Sequence, residues 1–237
     1  MNNISKKRNI STIIILAIVL LVPGFLYIAL NKIGSNQYLK LPVYGEKVLS
    51  GKMNRKMGRE IPDTVYHQIL PIHLHDAEGK SVDYLTSDTI ISIVHLFVAK
   101  DEGLSKTLLT NLKPVVERFR NIKKVQFYSI SLNENESAEE LSRVQNLYAK
   151  DLSSTWSFVK ADSSITNYVQ KNYLIDAYKN EDGTYVFSNN YLLIDTEKRI
   201  RGFYDINQNK EMERLQDEIK VQLVEEARNN PLKIEKK

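Results

Sequence analysis

The 237-residue chain contains no cysteine. Without thiol sulfur it can build no disulfide scaffold, run no dithiol exchange and offer no thiolate to a metal. No glycine-rich phosphate loop and no nucleophile-elbow motif occurs, although residue counts alone leave a Ser-His-Asp triad open. Internal repeats and low-complexity tracts are also missing. A surplus of positive charge is lacking as well, despite a formal net charge of +4 and a pI near 9.0. Three of the 33 cations are Lys6, Lys7 and Arg8, so the remaining chain sets 30 against 29 acidic residues. A near-neutral body has no footprint for phosphate backbones, which argues against a nucleic-acid partner. The single tryptophan, Trp156, and the 13 tyrosines have no basic interleaving, so they read as core and surface aromatics.

What is present begins at the amino terminus. After Lys6-Lys7-Arg8, Ile10 to Leu30 forms 21 residues without a charge, about 31 Å as a helix and enough to cross the hydrocarbon core of a bilayer. A cleaved signal peptide would be shorter and end in small residues, whereas Phe25-Leu26-Tyr27-Ile28 stays bulky. An uncleaved anchor is therefore expected over 10–30, with residues 1–9 as a cytoplasmic basic tail and the rest of the chain extracytoplasmic. Residues 31–63 read as a tether, because Gly34, Pro42, Gly45, Gly51, Gly58 and Pro62 interrupt any period. Met53 and Met57 within it are thioethers that could suit cuprous ion, although Lys52, Arg55, Lys56 and Arg59 would repel a cation.

From residue 64 to 226 the pattern is that of an alternating α/β domain, followed by a charged tail over 227–237. Ile72-His73-Leu74-His75 alternates apolar and polar ahead of the turn Asp76 to Lys80. Ile90 to Phe97 is a continuous apolar run with β-branched residues, as expected of a strand buried on both faces. Leu108, Leu112, Val115, Val116 and Phe119 fall at helical spacing, with a kink expected at Pro114. Val125 to Ser131 reads as the next strand, and Ser137 to Glu140 as a capping box opening a helix through Tyr148. A strand around Trp156 to Val159, a helix from Ser164 to Tyr173, strands Tyr191–Asp195 and Ile200–Tyr204, and a helix carrying Met212, Leu215, Ile219 and Leu223 complete the order. This arrangement predicts a thioredoxin-like central sheet flanked by helices and preceded by one transmembrane helix.

Particular residues sharpen that expectation. Phe97 to Lys106 follows a buried strand and precedes a helix, where a thioredoxin-like protein carries its active loop. Ser129-Ile130-Ser131-Leu132-Asn133, Thr155-Trp156-Ser157-Phe158, Tyr191 to Asp195 and Arg199-Ile200-Arg201-Gly202-Phe203-Tyr204-Asp205 follow at fitting intervals. Over residues 65 to 225 the chain resembles the Sco/SenC family, membrane-anchored thioredoxin-fold proteins that help deliver copper to cytochrome c oxidase. The resemblance implies a CxxxC motif and a late histidine as copper ligands. Their positions fall on Lys100, Leu104 and Phe187, and Asn133 stands where the family commonly has an acidic residue. A protonated lysine, an aliphatic side chain and a phenyl ring offer copper no thiolate or neutral imidazole.

The resulting expectation is a degenerate member without copper binding or thiol redox activity. It would not be an enzyme, would hold no cofactor and would act through protein contacts. Its expected partner is a respiratory oxidase subunit or assembly factor. Asp101 and Glu102 read as helix-start charge rather than catalytic carboxylates. An alternative from another class is a metallochaperone with relocated ligands, His73 and His75 on one face of a strand together with Met53 and Met57, joined by His67 or His95. A wet hairpin face explains the histidine pair without a metal, and His95 between Val94 and Leu96 suits a hydrogen-bonded interior. A third reading, an enzyme on this scaffold, requires a concave pocket around Lys100, Asn133 and Phe187 with a strongly shifted ionisable group.

Overall fold

A computed structural model describes residues 3–33, 40–56 and 59–229. The chain divides into two units, 1–39 and 40–237. The first contains helix α1, Asn3–Ile33, which continues through Pro23 and is apolar around its circumference: Ile13, Leu16, Leu20 and Phe25 are all exposed. Side chains are described along this helix from 12 to 28, and among the described residues no helix is long and apolar enough to cross a membrane.

The second unit opens with an element the sequence reading missed. Strands β1 (Lys47–Lys56) and β2 (Arg59–Tyr66) pair antiparallel within the stretch expected to be a tether. Glycines and prolines do interrupt the pattern, and the register shifts between Leu49 and Met53, but the interruption bends the hairpin rather than preventing it. The unit also reaches back to Lys40, not 64: Leu41 is buried in the core, and its carbonyl accepts from Arg201 at 2.7 Å.

Thereafter the order is β3 (Leu74–His75), β4 (Ser81–Val82), β5 (Ile91–Phe97), α2 (Leu104–Phe119), β6 (Val125–Ser131), α3 (Ala138–Ala149) and β7 (Trp156–Lys160). A short helix α4 (Thr166–Tyr168) runs into a π-helical turn, Val169–Tyr173, where a regular helix was expected. Strands β8 (Ala177–Lys179) and β9 (Tyr185–Phe187) form a hairpin of their own, and β10 (Asn190–Ile194), β11 (Ile200–Asp205) and α5 (Asn209–Asn229) close the chain.

Seven strands make one sheet in the order β11-β10-β5-β6-β7-β3-β4, with β5, β6 and β7 parallel and the others antiparallel to their neighbours. Side chains alternate along each central strand, and both faces are covered. Ile91, Ile93 and Phe97 of β5 enter one apolar cluster with residues of α2, α3 and α5, whereas Val94 and Leu96 enter the other with Tyr84, Val169 and Tyr173. That double burial is why β5 reads as an apolar run broken only by Ser92 and His95, both buried. Helix α2 begins four residues before Leu108 and continues through Pro114 without a break. The capping box of α3 is present: Ser137 Oγ accepts from Glu140 N at 3.1 Å, and Glu140 Oε2 accepts from Ser137 N at 3.2 Å.

Gly202 shows why the RIRGFYD stretch needs its glycine. A Cβ there would overlap the ring of Tyr204, two residues along on the same face of β11. Next to it Arg201 is buried, with its guanidinium 3.0 Å from Asp195 Oδ2 and 2.9 Å from Glu225 Oε2, and with the carbonyls of Leu41 and Pro42 accepting as well.

Candidate functional site

Parallel strands β5 and β6 end side by side, so the loops that leave their carboxyl ends meet at one edge of the sheet, where open α/β sheets place their sites. The loop after β5 is held from several directions. Asp101 Oδ1 accepts from Gly103 N at 2.8 Å and Oδ2 from Ser105 N at 2.7 Å, fixing the first turn of α2, while Val98 N donates to Ser105 Oγ at 2.9 Å. From the neighbouring loop, the buried Glu136 accepts Ala99 N at 3.0 Å, and Arg143 of α3 donates to Ala99 O at 3.3 Å. Glu136 also accepts Ser131 Oγ at 2.8 Å, and its own carbonyl accepts Lys160 Nζ at 2.6 Å. Asp101 therefore takes the helix-start role expected of it, and the exposed Glu102 pairs with Lys106 at 3.1 Å.

Beside this loop lies an open cavity of about 640 Å³. Lys100, Leu104, Asn133 and Phe187 all line it, so residues separated by up to 87 positions in the chain converge on one place. Phe187 arrives on β9, a strand the sequence reading did not assign, and Tyr185 and Lys179 accompany it. A signal was available: Ala177-Tyr178-Lys179 and Tyr185-Val186-Phe187 flank Asn180-Glu181-Asp182-Gly183-Thr184, β-formers around a turn. Leu104 and Phe187 are half-buried against the core and form wall, leaving the cavity unfilled.

Three of the ionisable groups that line the cavity, Lys100, Asp101 and Tyr185, are held in their ordinary charged or neutral forms. Lys100 Nζ sits 2.7 Å from Glu140 Oε1, and this hydrogen bond raises the lysine above its usual range and depresses Glu140 to about 2. For Asp101, partial burial opposes the charge, but the N–H donors of Ser105 and Gly103 outweigh it and hold the carboxyl below the usual range. Desolvation, reinforced by the hydrogen bond to Glu134, raises Tyr185. All three move away from neutrality, the opposite of what proton transfer at neutral pH requires. The concave pocket that an enzyme on this scaffold would need exists, whereas the tuned acid or base is not found among the shifted groups that line it.

Among the described residues, the relocated metal ligands are not brought together. His73 is exposed and precedes β3, which begins at Leu74. His75 Nδ1 lies 3.3 Å from Asp162 Oδ1 without the alignment of a hydrogen bond. His67 Nε2 meets Asn172 O at 2.9 Å. His95 is buried on β5, its Nδ1 3.1 Å from the Leu96 carbonyl and its Nε2 2.6 Å from Ser129 Oγ. Met53 is exposed, and Met57 lies outside the described residues. Among the described residues no three His, Asp or Glu side chains gather at metal-holding distance.

The sheet order, the loop and helix after β5 and the closing strand pair define a thioredoxin-like α/β protein. Solved structures similar to it are Sco/SenC proteins. A SCO1/SenC family lipoprotein from Bacillus anthracis aligns at 18% identity and a TM-score of 0.60, over 66% of this chain and 95% of that one. BsSco, a member of the Sco family of cytochrome c oxidase assembly proteins with a disulfide switch, aligns at 15% and 0.57, over 67% and 94%. Copper-bound ScoI of Arabidopsis thaliana aligns at 19% and 0.51, over 68% and 98%. At these identities the likeness is one of fold. No family model matches the sequence, and no curated protein matches it.

The donor set around the cavity does not fit copper. Lys100 is an ammonium engaged by Glu140, Leu104 has no lone pair, and the Phe187 ring offers neither thiolate nor imidazole.

Proposed function

We propose that this chain is a membrane-anchored, extracytoplasmic thioredoxin-fold protein that acts by docking to another protein at the edge where its loops converge. It works without copper and without thiol chemistry, in the assembly or maintenance of a respiratory oxidase. The observation that carries the proposal is the convergence of Lys100, Leu104 and Phe187 on one open cavity. Side chains unable to ligate a metal, two of them apolar and half-buried, make a surface suited to contact rather than capture. The oxidase is suggested by the Sco fold alone, because BsSco belongs to a family of oxidase assembly proteins. Anchoring is supported by the uncharged run over 10–30, its helical conformation in α1 and its exposed apolar side chains. The cations Lys6, Lys7 and Arg8 on its amino-terminal side orient the body outward.

The intact protein, solubilised in mild detergent from its native membrane, is expected to co-purify with oxidase subunits identified by mass spectrometry. Their consistent absence would remove the oxidase role. Anaerobic titration with cuprous ion is expected to show no stoichiometric binding at nanomolar free metal, and saturable binding would overturn the metal-free reading.

A further inference from the structure

The β8–β9 hairpin has a side that the fold leaves unused. Its register pairs Ala177 with Phe187, Tyr178 with Val186 and Lys179 with Tyr185. Ser188 N donates to Asp176 O at 3.0 Å and Asn180 N to Thr184 O at 2.8 Å, so the hydrogen-bonded pairs are 176/188, 178/186 and 180/184. The main-chain groups of Ala177, Lys179, Tyr185 and Phe187 therefore point away from the hairpin. On the β8 side this is visible directly, since Ala177 O accepts Gln170 Nε2 at 2.9 Å. On the β9 side, the N–H and C=O of Tyr185 and Phe187 have no hydrogen-bond partner among the described residues. The hairpin is a sheet of two strands, so no third strand covers that edge.

The unpaired edge borders the cavity. Tyr185, Val186 and Phe187 all line it, although successive side chains of a strand project to opposite faces. The strand consequently meets the cavity with its edge, opposite Leu104 and Val98. Of the charged side chains described in the lining, Lys100 and Lys179 are cations and Asp101 is the anion. Both Asp101 oxygens already accept N–H donors. Glu140 and Glu134 stand outside the lining, against Lys100 and Tyr185. The Lys100 pair has an exposed ammonium, so an incoming carboxylate could share that lysine at little cost.

We propose that β9 receives an extended segment of the partner protein as an added strand. Its main chain pairs with Tyr185 and Phe187, an apolar side chain enters the cavity against Leu104, and a neighbouring carboxylate meets Lys100 and Lys179. This rests on the docking role proposed above and specifies its chemistry: the unpaired amides supply affinity, and the cavity and lysines supply selection.

The test uses the full chain in lipid nanodiscs and a short, end-capped fluorescent peptide alternating glutamate with valine and phenylalanine, read by anisotropy. The peptide is expected to bind saturably and to lose about tenfold or more in affinity when lysine replaces glutamate. Two versions N-methylated at alternate residues each block one edge of the peptide. One is expected to lose about tenfold and the other to bind as the parent does. Tyr185→Pro deletes an outward N–H without touching the hairpin's own bonds and should weaken binding beyond Tyr185→Ala, which controls for the ring. If Tyr185→Pro melts early, the N-methylated pair still decides. No saturable binding, equal binding of both N-methylated versions, or equal binding of the lysine peptide would overturn the proposal. So would concentration-dependent self-association lost in Tyr185→Pro, which would assign the edge to a second copy. Co-purification of oxidase subunits surviving in Tyr185→Pro would remove the strand edge but leave the docking role standing. Failure of co-purification in the unaltered chain would remove the oxidase role and leave the peptide measurement intact.

Discussion

Acid should destabilise this domain through one histidine. His95 is buried on the central strand β5, and its Nδ1–H is placed to donate to Leu96 O at 3.1 Å. Its Nε2 then accepts from Ser129 Oγ at 2.6 Å, and that oxygen accepts the indole N–H of Trp156 at 2.8 Å. A second proton on Nε2 would meet a hydroxyl already facing it as a donor, in a pocket walled by Tyr191 and Phe97. Desolvation lowers the histidine from 6.5 to about 4, with the Leu96 carbonyl opposing. The folded state thus binds this proton less readily than the unfolded chain, so stability falls as pH drops from about 6.5 toward 4. The full shift amounts to about 3 kcal/mol, of which about 2 kcal/mol is lost between roughly pH 7.5 and 5. Urea unfolding of the full chain in detergent, followed by Trp156 fluorescence across that range, reads it. His95→Leu should start less stable, because the Ser129 hydroxyl loses its acceptor, but should lack this portion of the pH slope. Parallel slopes for the two proteins would refute the argument.

Other consequences concern the core and the walls of the cavity. Arg201→Met strips Glu225 and the carbonyls of Leu41 and Pro42 of their cation, and should cost about 3–5 kcal/mol in urea unfolding. A loss under about 1 kcal/mol would mean the network contributes little. Gly202→Ala drives a methyl into the Tyr204 ring, whose hydroxyl is tied to Glu218 at 2.6 Å, and should cost about 1–3 kcal/mol by the same measurement. Leu108→Ala, fully buried on α2, should cost about 2–5 kcal/mol. Leu104→Ala, half-buried at the cavity, should cost clearly less while weakening partner co-purification. Equal thermal losses for the two leucines would mark Leu104 as ordinary packing.

Much of the fold could be read from residue patterns because burial imposes them. Strand β5 is apolar on both faces, since clusters on either side claim alternate residues, and the Ser137/Glu140 capping box announces α3 by chemistry alone. The β1–β2 hairpin left no such trace. Val48, Leu49, Met53 and Val65 are exposed, so no buried face enforces a period of two. The π-helical turn ending at Leu174, with φ 58, is a backbone choice supported by tertiary partners such as Asn172, which accepts from Leu70 N. At the site, Lys100, Leu104 and Phe187 could be placed together only through the family resemblance, because the turn around Gly183 signals a hairpin but not where a three-residue strand such as β9 lies in the fold. Glu136 was invisible for another reason. In the run Asn133-Glu134-Asn135-Glu136 it looks like solvated charge, and only the fold buries it and turns it onto the Ala99 amide.

That inward carboxylate has a consequence for recognition. Glu136 and Asp101 accept main-chain N–H groups of the loop after β5, and Arg143 donates to one of its carbonyls, so the loop is braced by the protein's own groups. A visitor would find its seat already moulded, and little chain entropy would remain to be surrendered on arrival. Affinity at the edge should then respond to substitutions beneath it, such as Glu136→Ala, which removes a buried carboxylate that no visitor touches.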